Sequence, residues 1–344
     1  MRAAPGGLPG SATSRPSSSS RLVRALLSVG LLSLVLALAD WRAVVTVLRE
    51  VRPGWLGVAL LLAFMDRIVI TWRFRILLAA RGIATGFLRL LRVQLAATFF
   101  GSFLPSSIGV DAVRIAALAR GGESPRQVVA ATLVDRLTLF LSTLLFASLM
   151  AVLQARDRVP PGITRSVYMV TGTALLLLAL ALHPAVRNWL RRQMLPRLPQ
   201  RFRETVAEVS AATLAFRNEP EVLAGSAGVT LALFGVRLGF AKAVALSCGA
   251  DLSFGDLLLV VPVLWVVVMI PITIGSIGVQ DAGYVVLMGL LGIAAPVAAS
   301  MSLVEHAVSR AASLPGAVFV GEFSRKTPHR RDAAERSAPG EDRP

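Results

Sequence analysis

Two stretches decide the fold: Leu104-Pro105-Ser106-Ser107-Ile108-Gly109-Val110-Asp111-Ala112 and Ile270-Pro271-Ile272-Thr273-Ile274-Gly275-Ser276-Ile277-Gly278-Val279-Gln280-Asp281-Ala282. Each runs from a proline through polar residues to Ile-Gly-Val and then to Asp-Ala. Short apolar runs flank them, 93–104 and 110–119 around the first, 257–274 and 282–294 around the second. At about 1.5 Å of rise per residue, neither half of the first pair crosses a hydrocarbon core of about 30 Å. Proline removes a backbone donor and glycine relaxes the turn, so each stretch reads as a helix broken at membrane depth. Such a break is tolerated only where its backbone lines a cavity.

The rest of the chain supplies the membrane. Of 344 residues 55% are hydrophobic and 16% charged, where a globular protein carries about a quarter charged. Apolar runs at 54–72, 128–153, 166–182, 222–247 and 297–320 are each long enough to span. Their unbroken hydrophobicity lacks the period-two alternation of a transmembrane barrel. The expected fold class is all-α, a polytopic membrane protein with about eight spans. One or two of its elements are broken re-entrant helix pairs related as inverted repeats. Whether 257–294 forms a second re-entrant pair or two full spans is left open by charge parity.

Charge sets the topology. The formal net charge of +16 is explained by loop arginines facing anionic headgroups, and no nucleic-acid module is present. Arg73, Arg75, Arg81, Arg89 and Arg92 mark a cytoplasmic loop. Arg114, Arg120 and Arg126 return the chain to that same side after the first break. Asp251 and Asp256 lie in an external loop, and the bases after residue 324 put the C-terminus inside.

The expected domains are a disordered cytoplasmic tail at 1–20, a transmembrane domain at 21–321, and a disordered basic tail at 322–344. Within the second, 184–220 is a cytoplasmic loop holding an interfacial helix, with Phe202, Val206, Val209, Thr213 and Phe216 on one face. Residues 21–39 form a first span, or a leader cleaved at Ala37-Leu38-Ala39; Asp40 falls outside either way. The lone cysteine, Cys248, excludes an intramolecular disulfide and reads as a small residue near a helix end.

Interrupted helices at corresponding places in two halves point to a transporter binding site. The second helix of each pair begins with free N–H groups, with Ser106, Ser107 and Ser276 as caps, and such an end favours an anion. Arg114, one turn beyond Asp111, could clamp a phosphate through its planar fork; alternatively Asp111 and Arg114 form a structural pair. The candidate binding residues are Pro105, Ser106, Ser107, Gly109, Asp111, Arg114, Asp135, Arg136, Pro271, Gly275, Ser276, Gly278, Asp281, Glu305 and Arg310. Asp66, Arg67, Arg237, Lys242 and His306 are further intramembrane charges, with Asp66-Arg67 read as snorkelling to the cytoplasmic surface. No metal site, cofactor, phosphate loop or zinc-protease signature is found, and the chain is expected not to be an enzyme.

At these residues the sequence resembles the membrane region of lysylphosphatidylglycerol synthase and its stand-alone, flippase-like relatives. The stretches that carry it are Phe99 to Pro105 with Gly109 to Arg114, then Asp135-Arg136-Leu137, then Pro271 with Gly275 to Asp281. Where that family commonly carries Glu, these positions hold Asp. The resemblance implies a multi-pass inner-membrane protein that moves or binds a lipid headgroup. The cargo would be an anionic phospholipid, or a polyprenyl or hopanoid lipid. Only 22 residues follow Glu322, so the soluble aminoacyltransferase domain of the full synthase is expected to be missing. Two alternatives stand beside transport. One is a lipid-modifying transferase using Asp111, Asp135 or Glu305 with His306; the other is a non-transporting subunit that recruits an enzyme. Membrane lipids are the expected partners, with room for a homo-oligomer and none for nucleic acid.

Overall fold

The computed structural model describes residue 33 and residues 40–101, 108–154, 161–193, 200–268 and 276–319. Among them the chain is helical, with no strand. In order, the helices are α1 (Trp41–Arg49), α2 (Pro53–Ala79), α3 (Phe87–Gly101), α4 (Ile108–Arg120), α5 (Pro125–Gln154) and α6 (Pro161–Leu182). There follow α7 (Pro184–Gln193), α8 (Gln200–Ala215), α9 (Pro220–Ser247), α10 (Phe254–Val268), α11 (Val279–Gly289) and α12 (Ala295–Ala311). By length and composition α2, α9 and residues Pro125–Met150 of α5 can each cross a membrane. Leu61, Leu133, Leu149, Leu176 and Leu231 are exposed on the outside of α2, α5, α6 and α9. Apolar area of that extent has lipid, not water, as its natural neighbour.

The chain is built twice. Proline begins α2 at Pro53 and α9 at Pro220. Each long helix ends just before a turn whose glycine, Gly82 or Gly249, has positive φ, and a short helix starts five residues after that glycine, at Phe87 or Phe254. Beyond the break, α4 and α11 close on Gly122 and Gly292, again with positive φ. Residue numbers in the two halves differ by 167 before the break and by 170 after it. The hydrogen bonds keep the same register. Ile83 N–H donates to Leu78 O at 3.0 Å and Ala250 N–H to Ala245 O at 2.9 Å; Glu123 donates to Leu118 O at 3.2 Å and Ile293 to Met288 O at 3.1 Å. This is the helix stop in which a left-handed residue lets the next N–H reach back five places, and glycine takes that conformation without a Cβ clash.

The two halves meet along α2 and α9, which pack antiparallel, Asp66 beside Arg237 and Arg73 beside Thr230. Helices α3 and α4 fold back on each other: Gly101 abuts Val110 so closely that a Cβ would lie 2.2 Å from its Cγ2, and Arg89 reaches Gly121 O at 3.2 Å. Both outer ends of this hairpin therefore lie together. Helices α10 and α11 pair likewise, with Gly283 facing Leu264. Phe146, Phe234 and Trp265 join α5, α9 and α10 at the middle, with centroids 4.8 and 5.2 Å apart.

Three expectations change. Arg73 is no loop residue: α2 continues to Ala79 and Arg73 is 1% exposed inside it. Hydropathy ends the span at Trp72 because it cannot see the acid on α5 that neutralises the next residue. The segment 184–220, expected as a loop with one interfacial helix, holds two helices, α7 and α8, and Phe216 just beyond α8 is buried beneath the Arg81 guanidinium at 4.0 Å. The apolar run 282–294 is interrupted, since α11 starts at Val279 and ends at Gly289. The tails 1–20 and 322–344 lie outside the described residues, as does residue 33's surrounding run except for that one position. Cys248 is the C-cap of α9, and its burial pushes the thiol up.

Candidate functional site

In the first half the break brings α4 against α3 and α5, and one charged cluster fills the space between them and α2. Asp135 accepts from Arg73 at 2.6 Å and from Arg114 at 3.3 Å. Asp111 accepts from Arg114 at 3.1 Å and from Arg136 Nε at 2.6 Å. Arg73 also donates to the Asp135 carbonyl at 2.9 Å and to Thr230 Oγ1 at 3.2 Å. Arg114 lies over the Phe74 ring at 3.7 Å and reaches Gln94 Oε1 at 3.4 Å. It is 2% exposed. Its two terminal nitrogens are engaged by two aspartates and a glutamine and its Nε is buried without a partner, so in this conformation it has no exposed face to offer a phosphate. The geometry is that of the structural pair, enlarged by Arg73, Asp135 and Arg136.

In the second half the same frame carries a different cluster. Asp281 corresponds to Asp111, Tyr284 to Arg114, Glu305 to Asp135 and His306 to Arg136, each 170 positions on. The contacts correspond too: Tyr284 donates its hydroxyl to Glu305, and His306 Nε2 lies 3.5 Å from Asp281 Oδ1. Asp281 accepts from Ser302 Oγ at 2.6 Å and from Gly278 N–H at 2.7 Å. The N-cap of α11 is Gly278 rather than Ser276, and the anion at that helix start is the chain's own Asp281. The Asp281 side chain at the third helical position reaches back to the N-cap's own N–H, one half of a capping box.

A cavity of about 220 Å³ opens beside this second cluster, with α2 of the first half closing one side. Its polar wall is Asp66, Arg67, Arg237, Tyr284 and Glu305; its apolar wall includes Phe240, Val261, Trp265 and Val268. The internal duplication explains why the space is there. Where Phe74 and Gln94 pack around Arg114 in the first half, the positions 167 further on are Ala241 and Val261, both smaller and both on the cavity wall. Asp66 is 8% exposed and is held by Arg237 Nε at 2.7 Å and Arg67 at 2.9 Å. The snorkelling expectation for Asp66-Arg67 is thus corrected: the acid points inward because α9 supplies Arg237 across the helix pair.

Of the candidate residues, Asp111, Arg114, Asp135 and Arg136 come together in the first cluster, and Asp281 and Glu305 in the second. Gly109 is buried in the first turn of α4. Arg310 sits in the last turn of α12 and is not part of the cavity wall, which Ser309 reaches instead. Pro105, Ser106, Ser107, Pro271 and Gly275 lie outside the described residues. Asp66, Arg67, Arg237 and Tyr284 are site residues that motif reasoning does not select. The legible signal is Leu133-Val134-Asp135-Arg136 against Leu303-Val304-Glu305-His306, which fixes the register and maps Arg114 onto Tyr284. No grouping of three or more metal-ligating side chains occurs among the described residues.

A duplicated helical frame, apolar outside and charged within, defines a polytopic membrane protein whose polar interior is split between two half-domains. Residues 21–316 match the family described as lysylphosphatidylglycerol synthase TM region, and the chain belongs to that family. The family ties it to lipid handling in a membrane. No curated protein and no solved structure matches the chain.

Proposed function

We propose that the protein binds an anionic lipid headgroup in the second-half cavity and helps translocate it between leaflets of the cell inner membrane. The observation that carries this is the wall of the cavity. Arg237 and Arg67 offer guanidinium donors at one side, while Phe240, Trp265 and Val268 offer apolar surface for the glycerol and upper acyl region. Arginine suits a phosphate because its planar fork donates two parallel hydrogen bonds. In this reading the Arg73–Asp135–Arg114–Asp111 cluster is the scaffold that fixes the first broken helix, and the hairpins α3–α4 and α10–α11 are re-entrant.

The test is to fill the cavity. Ala241→Phe places in the second half the ring that Phe74 provides in the first. Protein reconstituted with a fluorescent phosphatidylglycerol and assayed by dithionite bleaching is expected to lose translocation while eluting as a monodisperse peak. Translocation at the unmodified rate with the cavity filled would contradict the proposal.

Both termini are cytoplasmic in this reading. On a Cys248→Ala background, cysteines at the exposed positions Ala84 and Arg120 are expected to react with an impermeant maleimide from one and the same side. Labelling from opposite sides would show that α3 and α4 do not form a re-entrant pair.

A further inference from the structure

Comparing the two halves shows a second property of the cavity. In the first half each acid is held by arginines, Asp135 by Arg73 and Arg114, Asp111 by Arg114 and Arg136. Arginine does not give up its proton in proteins, so each of these carboxylates faces a fixed positive charge. In the second half both acids are kept and every one of those arginines is gone: the corresponding residues are Phe240, Tyr284 and His306. Asp281 is compensated by Ser302, Gly278 N–H and His306. Glu305 has a hydroxyl from Tyr284, stands on the cavity wall, and makes no ion pair within 4.0 Å among the described residues.

We propose that Glu305 is a proton-carrying group, taking up a proton as an anionic headgroup enters the cavity and releasing it as the headgroup leaves. The inference rests on the headgroup reading above and adds a coupling ion to it. Each element around Glu305 is consistent with that role. On α11 it faces the Tyr284 hydroxyl with Asp281 behind; on its own helix His306 leans to Asp281; α9 brings Arg237 and α2 brings the Asp66–Arg67 pair; α10 presents Trp265 and Val261, and α1 packs Val44 on α12. Arg237 is engaged by Asp66 at 2.7 Å, so this fixed positive charge on the wall is already partly answered. An incoming phosphate draws on Arg237 and sets a second negative charge beside Glu305. Protonation removes the repulsion. The step is a transfer from hydronium to a carboxylate oxygen, forming one O–H bond and leaving water, with no change of oxidation state. Neutral Glu305 tolerates the anion and ionised Glu305 repels it, so headgroup affinity is highest below the Glu305 midpoint and falls as pH rises through it.

Trp265 reports on this wall. The full chain in detergent, with Trp41, Trp55, Trp72 and Trp189 changed to phenylalanine, is scanned by Trp265 emission from about pH 4 to about pH 9, which brackets carboxyl and imidazole titration. One transition is expected; it should vanish in Glu305→Gln, persist with a moved midpoint in Glu305→Asp, and persist in His306→Gln. No transition, or one that survives Glu305→Gln and disappears with His306→Gln, overturns the assignment. In a second arm, dioctanoyl phosphatidylglycerol is added in weakly buffered solution containing a pH indicator. Uptake approaching one proton per chain is expected, and none in Glu305→Gln. Lipid that changes Trp265 emission without proton uptake overturns the proton role and leaves the headgroup reading standing. Lipid that leaves the emission unchanged at every pH overturns the headgroup reading, and the first arm alone then decides whether Glu305 titrates.

Discussion

Arg73→Ala is expected to abolish stable folding. Its guanidinium is buried to 1% exposure and serves three acceptors on two other helices, the Asp135 carboxylate and carbonyl on α5 and Thr230 on α9. Removing one partner of a buried ionic network costs about 3–5 kcal/mol, because the remaining charge stays buried without compensation. That is a large part of a stability margin of about 5–15 kcal/mol. The measurement is the monodisperse fraction after heating in detergent, followed by size-exclusion chromatography. Arg73→Met combined with Asp135→Leu should be more stable than Arg73→Ala alone, since apolar side chains of similar size replace the pair and Arg114 keeps Asp111. Arg73→Ala behaving like the unmodified protein would show that the cluster does not hold the halves together.

Arg237→Gln is expected to leave folding largely intact and to remove headgroup binding. Asp66 retains Arg67 at 2.9 Å, so the acid is not orphaned. What disappears is the guanidinium on the cavity wall. A hydrogen bond to a charged group contributes about 1.5–3 kcal/mol, equivalent to roughly 10- to 100-fold in affinity. Titration of dioctanoyl phosphatidylglycerol against Trp265 emission reads that loss directly. Arg237→Lys should recover part of it, since an ammonium keeps the charge without the fork.

The broken helices are legible because their determinants are local. Pro105 and Pro271 remove donors, the flanking runs are short, and Asp-Ala follows Ile-Gly-Val in both copies. The long spans are legible for the same reason, their hydrophobicity being contiguous. The pairing of charges is not local. Asp66 finds Arg237 across 171 positions and Asp135 finds Arg73 across 62, and hydropathy treats each as an isolated cost at a span edge. That is why Arg73 reads as a loop residue and Asp66 as one that snorkels. Arg114 is legible as an intramembrane arginine near a helix start, but its ligands on α5 and α3 are set by packing. The cavity itself depends on two substitutions between halves, Phe74 against Ala241 and Gln94 against Val261. They become visible only once the constant separation of 167 positions is recognised.

The central claim is that the headgroup site lies in the second half and the first-half cluster is scaffold. A phosphatidylglycerol analogue with a photoactivatable diazirine on its headgroup, irradiated with the reconstituted protein and mapped by peptide mass spectrometry, tests it most directly. Cross-links are predicted on the cavity-lining segments of α2, α9, α10 and α12, with Arg67, Phe240, Trp265 and Ser309 among the nearest side chains, and they should be lost in Ala241→Phe. Cross-links concentrated instead on α4 and the Asp135 turn of α5, and unaffected by Ala241→Phe, would contradict the account.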